Sequence, residues 1–146
     1  MVRSFALRAC AGAGVVLAAL ALTGCGGDKV KLVPAEGVLK IGDKPAANVS
    51  VQFLPDVTKG AKGPTSYATT DAEGKFRLKT YDGQDGAVPG PHTIILADQD
   101  EERPPQGKPL TKQPRLDSKY TTGAGGLRAE VPADGGSVAL DVPAPR

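Results

Sequence analysis

The sequence predicts an all-β, two-sheet sandwich, and three observations carry that prediction. Apolar residues recur every second position in short runs. No window carries a helical period of useful length. Thirteen Pro and 19 Gly interrupt the 146 residues too often for helices. Seven short strands are expected, each half-buried and bounded by turn residues.

The strands begin only after an N-terminal address. Arg3 and Arg8 give a basic start, Ala9 to Leu22 are uncharged, and small residues follow. This is the three-part layout of a secretory signal. The apolar stretch is shorter than the ~20 residues a membrane-spanning helix needs, so residues 1–24 are expected to be removed. Residues 25–34 form a short polar tether, and residues 35–146 the sandwich domain.

Gly37 to Ile41 alternate as the first strand, and Gly42-Asp43-Lys44-Pro45 signals a turn. Val49, Val51 and Phe53 then alternate with polar residues. These two runs are expected to pair as a hairpin. In "TTDAEGKFRL", Asp71 can accept bonds from amides just ahead. Ala72 and Glu73 suit the centre of a type I turn, and Gly74 tolerates a left-handed bulge. Ser66 to Thr70 and Lys75 to Thr80 are therefore expected to meet across it. His92, Ile94 and Leu96 share one side of the next strand. Leu127, Ala129 and Val131 share a side of the sixth, and Val138, Leu140 and Val142 of the last. Gly86 and Gly90 mark further turns. The large apolar residues at inward positions suffice for one modest core and not for two. Asp98 to Gly126, with four prolines and ten charged groups, is expected to be a mobile insertion.

Leu22-Thr23-Gly24-Cys25 resembles the lipobox of bacterial lipoproteins, in which the cysteine is acylated and becomes the mature N-terminus. The resemblance implies lipid attachment at Cys25. Cys10 lies in the removed segment, so the mature chain has one cysteine and no possible internal disulfide. Two or more acyl chains anchor a protein where one binds only reversibly. A membrane-tethered domain facing the periplasm is expected, on either the inner or the outer membrane. Removing Arg3 and Arg8 leaves 16 basic against 16 acidic residues. A neutral mature chain has no long-range attraction for nucleic acid, which is not an expected partner.

Glu36 to Pro45, Val49 to Pro55, Thr70 to Phe76 and Asp85 to Gly90, with Lys119-Tyr120 before Leu127 to Val131, resemble a further family. It is the carboxypeptidase regulatory-like, or transthyretin-like, domain of small lipoproteins from planctomycete-type bacteria. The resemblance implies a seven-stranded immunoglobulin-like or transthyretin-like β-sandwich. It implies an accessory domain rather than a peptidase. Gly42-Asp43 stands where such domains usually read Asp-Gly, and His92 where Tyr is common; His92 can still bond backbone across the sandwich.

Chemistry is sparse. His92 is the one histidine, and its place beside Ile94 and Leu96 favours a buried structural role over that of a base. A zinc peptidase needs two histidines and a carboxylate on one metal. A calcium loop starting at Asp71 needs Gly at position six and Glu at twelve; here Gly is fourth and Asp82 twelfth, so only a spatial grouping of Asp71, Asp82 and Asp85 would hold the ion. No serine sits in a nucleophile elbow. Asp100-Glu101-Glu102 reads as a solvated run, and Gly123 to Gly126 precedes no helix that would aim amides at a phosphate. Neither catalysis nor a cofactor or metal is expected. A structural or protein-binding module of the cell envelope is, with an envelope protein as partner. The alternative is a small ligand or glycan bound through 98–126, for which Tyr67, Tyr81 and Tyr120 make a thin aromatic platform. Tyr120 is expected to anchor packing.

Overall fold

The computed structural model describes residues 30–103, 105–124 and 126–146. The lipobox residues Leu22, Thr23 and Gly24 and the acceptor Cys25 lie outside them. Among the described residues there is no α-helix, and the strands form two sheets, an all-β sandwich. The strands are β1 (Ala35–Ile41), β2 (Lys44–Pro45), β3 (Val49–Pro55), β4 (Ser66–Thr69), β5 (Lys75–Arg77), β6 (Lys79–Thr80), β7 (Gly90–Asp98), β8 (Leu127–Val131) and β9 (Gly136–Val142). One sheet centres on β1, with β9 along one side and β2 and β5 sharing the other. The second has the order β6-β4-β3-β7-β8.

The expected seven strands become nine for two reasons. Gly42 and Asp43 both adopt positive φ (57° and 66°), as a type I′ turn requires, and fold β1 back onto the two-residue β2. Asn48, also at positive φ (56°), then leads into β3 in the other sheet. The expected pairing of Gly37 to Ile41 with Val49 to Phe53 does not form: β3 lies between β4 and β7. The second reason is a split in Lys75 to Thr80. Lys75–Arg77 pairs with β1, the Leu78 N–H donates to Ala35 O (2.9 Å), and Lys79–Thr80 crosses to pair with β4. The strand expected to meet Ser66 to Thr70 does so only through its last two residues.

Between the sheets lie Leu39, Val49, Val51, Phe53, Leu78, Ile94 and Leu96, all at 0% exposure. Phe53 of one sheet meets Phe76 of the other at 6.0 Å between ring centroids, tilted 47°. Gly37 makes room for that ring: a Cβ there would fall 2.6 Å from the Phe76 ring and 1.9 Å from Val138 O. Leu116 and Tyr120, outside the strands, complete the core.

The first and last strands lie side by side. β1 and β9 run parallel in register from Ala35↔Gly136 to Ile41↔Val142. Gly136 N–H donates to Pro34 O, and Gly42 N–H to Val142 O. The even-numbered residues of β9 therefore face β1 along the ladder. Ser137, Ala139 and Asp141 point their N–H and C=O groups the other way, and their side chains are exposed.

Candidate functional site

The segment expected to be mobile is fastened at its foot. β7 ends where the Asp98 carboxylate accepts the Asp100 N–H (2.9 Å), an Asx turn. Arg115 returns to this corner. Its Nε donates to Asp98 Oδ2 at 2.6 Å and its Nη2 to Asp98 Oδ1; the same Nη2 reaches Ala47 O (3.2 Å) and Asp100 Oδ2 (3.4 Å). The Asp98 side chain is 3% exposed and the Arg115 side chain 41%, so a guanidinium at the surface covers a buried carboxylate. The hydrogen bonds from Arg115, outweighing burial, hold the Asp98 carboxyl below the ordinary carboxylate range, and the same bonds raise Arg115.

Beyond Arg115, Leu116 enters the core. Asp117 accepts the Lys119 N–H (3.1 Å) and caps a 3₁₀ turn, Ser118–Tyr120, that drops Tyr120 into the core at 6% exposure. Lys119 Nζ lies 4.8 Å from that ring's centroid. Tyr120 is thus a packing residue.

What remains free is the stretch between Glu101 and Gln113. Its neck is closed by Glu102, whose Oε2 accepts the Thr111 N–H (3.2 Å) and hydroxyl; the hydroxyl bond is the main reason the Glu102 carboxyl lies below its usual range. The tip turns on a Lys108 N–H to Pro105 O bond (3.0 Å). The described side chains of 101–113 are exposed, including Leu110 at 46%. A cleft of about 230 Å³ lies beside the neck, with Asp98, Asp100, Glu102, Lys112 and Arg115 among its lining residues. The loop carries prolines, the exposed Leu110 and three cations (Arg103, Lys108, Lys112), and its foot is tied to the sandwich by Arg115, Leu116 and Tyr120.

The other residues read from the sequence lie apart from this loop. Asp71 sits at the bend: its Oδ1 accepts the Glu73 and Lys75 N–H groups (3.0 and 2.8 Å), Gly74 N–H donates to Asp71 O (3.0 Å), and Gly74 has φ +73°. Asp82 accepts from Thr80 and Gln84, and Asp85 pairs with Lys79 at 3.4 Å. Among the described residues, no three His, Cys, Asp or Glu side chains gather as a metal site. Gly86 and Gly90 have φ of +107° and +114°. A Cβ on Gly86 would fall 2.3 Å from Val33 O, where the chain runs back past β1.

His92 is 1% exposed. Its Nδ1 donates to Gly90 O (2.9 Å) on its own strand rather than across the sandwich, because its ring packs against Phe53 at 5.7 Å. Its Nε2 is buried without a partner, and burial pushes its pKa down.

Two features escaped the sequence reading. Arg115 and Asp98 are 17 residues apart in a run of charges, where nothing singles out one pair. Tyr67 and Tyr81 come together on the outer face of the β6-β4 edge, with ring centroids 6.2 Å apart and exposures of 41% and 91%.

These features define a class, an all-β sandwich carrying an exposed loop, 101–113, that is fastened at its foot. The chain matches no protein-family model, no curated protein and no solved structure.

Proposed function

We propose that this protein is a lipid-anchored, periplasm-facing lipoprotein. Its transthyretin-like sandwich acts as a non-catalytic, protein-binding module of the cell envelope. The lipobox ending at Cys25 supports the first part, and the turn at Asp71 to Gly74 supports the transthyretin-like resemblance. The observation that carries the second is the loop 101–113: exposed along its described length, closed at Glu102 and Thr111, and held on the sandwich by Arg115, Leu116 and Tyr120. An ordered foot lowers the entropy lost when a partner immobilises the loop.

Two experiments test this. Cys25→Ala is expected to abolish fatty-acid labelling and release the chain from membranes; unchanged labelling refutes the anchor. Replacing Arg103 to Leu110 by a short Gly-Ser bridge removes the loop but leaves its foot. Cross-linking in intact envelopes is expected to lose its partner band in that variant while the melting temperature holds. A band that survives refutes the loop's role.

A second reading, a small ligand or glycan, is favoured by the exposed Tyr67 and Tyr81 pair. Loss of glycan binding on Tyr81→Ala, with the loop intact, would select it.

A further inference from the structure

One sheet edge is less defended than the others. β8 carries Arg128 and Glu130 on its exposed side and is only five residues long, followed by Pro132, and β2 and β6 are two residues long. Short strands, charges and proline are the usual means of blocking edge pairing. β9 is the least protected: seven residues, Gly-Ser-Val-Ala-Leu-Asp-Val, with one charge, Asp141, and Pro143 only after its end. Among the described residues it pairs only with β1, and no hydrogen bond reaches the outward N–H and C=O groups of Ser137, Ala139 and Asp141.

We infer that this edge pairs with the same edge of a second copy, antiparallel, about a two-fold axis at Ala139, making one continuous sheet from two β1-β9 sheets. The inference is independent of the loop 101–113. In this register Ala139 exchanges both bonds with Ala139 of the other copy, and Ser137 with Asp141, so every outward group on the strand finds a partner. A shift by two residues puts Pro143, which lacks an N–H, opposite Ser137 and loses bonds.

The side chains agree with that register. Along the exposed face β1 sets Glu36 beside Ser137, Val38 beside Ala139 and Lys40 beside Asp141, and Arg77 pairs with Glu36 at 3.2 Å. Across the joint, one row would read Arg77, Glu36, Ser137, then Asp141 and Lys40 of the second copy. Each carboxylate has a cation beside it, and a serine hydroxyl separates the two. The central row brings the small Ala139 against itself. At a rise of about 3.4 Å per residue the two Asp141 carboxylates are about 14 Å apart, beyond the screening length of about 8 Å at physiological salt. The occupant is therefore a second copy of this chain.

The register gives the test. Opposed Cα atoms of a hydrogen-bonded pair lie about 5.5 Å apart, inside the span a disulfide bridges, whereas four residues of offset lie outside it. In the full chain expressed in its envelope, with wild type alongside to reveal any bridge through Cys10 or Cys25, Ala139→Cys is expected to give a dimer on non-reducing gels. Ser137→Cys and Asp141→Cys alone are not, but co-expressed they are. The detergent-solubilised wild-type chain is expected to sediment at twice the mass of Ala139→Pro, which removes only an outward N–H; Ala139→Lys, which sets two cations face to face, serves if the proline variant fails to fold. The proposal is overturned by a monomeric wild type, by bridging as strong at Ser137 alone as at Ala139, or by Ala139→Cys joined to a polypeptide of another mass.

Discussion

Replacing Gly74 by Ala asks how much of the bend's stability comes from its backbone and how much from what it touches. Gly74 has φ +73° and its C=O accepts the Leu39 N–H at 2.8 Å. A Cβ would stand 2.5 Å from Leu39 O and 3.1 Å from Ala46 N. The left-handed conformation costs an alanine about 1–2 kcal/mol, and the loss of unfolded-chain entropy returns about 0.4–1. Relieving the clash moves backbone away from β1 and weakens a hydrogen bond worth about 0.5–1.5 kcal/mol. The net expectation is a destabilisation of about 1–3 kcal/mol. Gly83 is the internal control, with φ +84° and nothing within 4 Å of its Cβ position, so Gly83→Ala carries the strain without the collision. Urea unfolding of both variants is the assay, with an unchanged slope so that midpoints report stability. Gly74→Ala is expected to lose about 0.5–1.5 kcal/mol more than Gly83→Ala, the share of the hydrogen bond. Equal losses would refute the close approach between this bend and β1.

Three further predictions concern buried groups. Arg115→Ala uncovers the Asp98 carboxylate and is expected to cost about 2–3 kcal/mol in urea unfolding, below the range for a fully buried pair because solvent reaches the guanidinium. Because Asp98 is held below its usual range, its contribution is complete above the unfolded value near 3.8 and is lost as pH falls through the lower folded value; acid unfolding of Arg115→Ala should lack that step. His92 titrates below its ordinary 6.5 because its imidazolium would be buried, so stability is full above that value and declines as pH falls below it, by at most about 1.4 kcal/mol per pH unit. A His92→Leu variant is expected to flatten the pH 5–7 profile, and an unchanged slope would show that another group is responsible. Tyr120→Ala empties a core site at a cost of about 3 kcal/mol or more, and limited proteolysis is expected to spread from 101–113 into 114–126.

A period of two tells which side of a strand is buried, and that much was legible from Val49, Val51, Phe53, Ile94, Leu96, Leu140 and their neighbours. It does not tell which sheet a strand joins, because in a sandwich both sheets bury the same kind of residue. Phe76 and Leu78 alternate without interruption although Lys75–Arg77 and Lys79–Thr80 belong to different sheets. For the same reason the first hairpin was misread: Gly42-Asp43 signals a tight turn, but nothing local says that the returning strand stops after Pro45. Between Asp98 and Gly126 the density of prolines and charges hid an ion pair and two core residues. Leu116 and Tyr120 are four apart in an irregular stretch, and no periodicity registers single anchors.

The parallel pairing of the first strand with the last also governs when this molecule can fold. Ala35 meets Gly136 and Ile41 meets Val142, so nearly the whole chain must be present before that ladder closes. Contacts so distant along the chain slow folding, because loop-closure entropy is lost before any pairing compensates for it. A polypeptide made in N-to-C order holds β1 without β9 until the residues up to Val142 have emerged. Until then β1 has only the short β2 and β5 to pair with, and the long parallel ladder is the last part of its sheet to form.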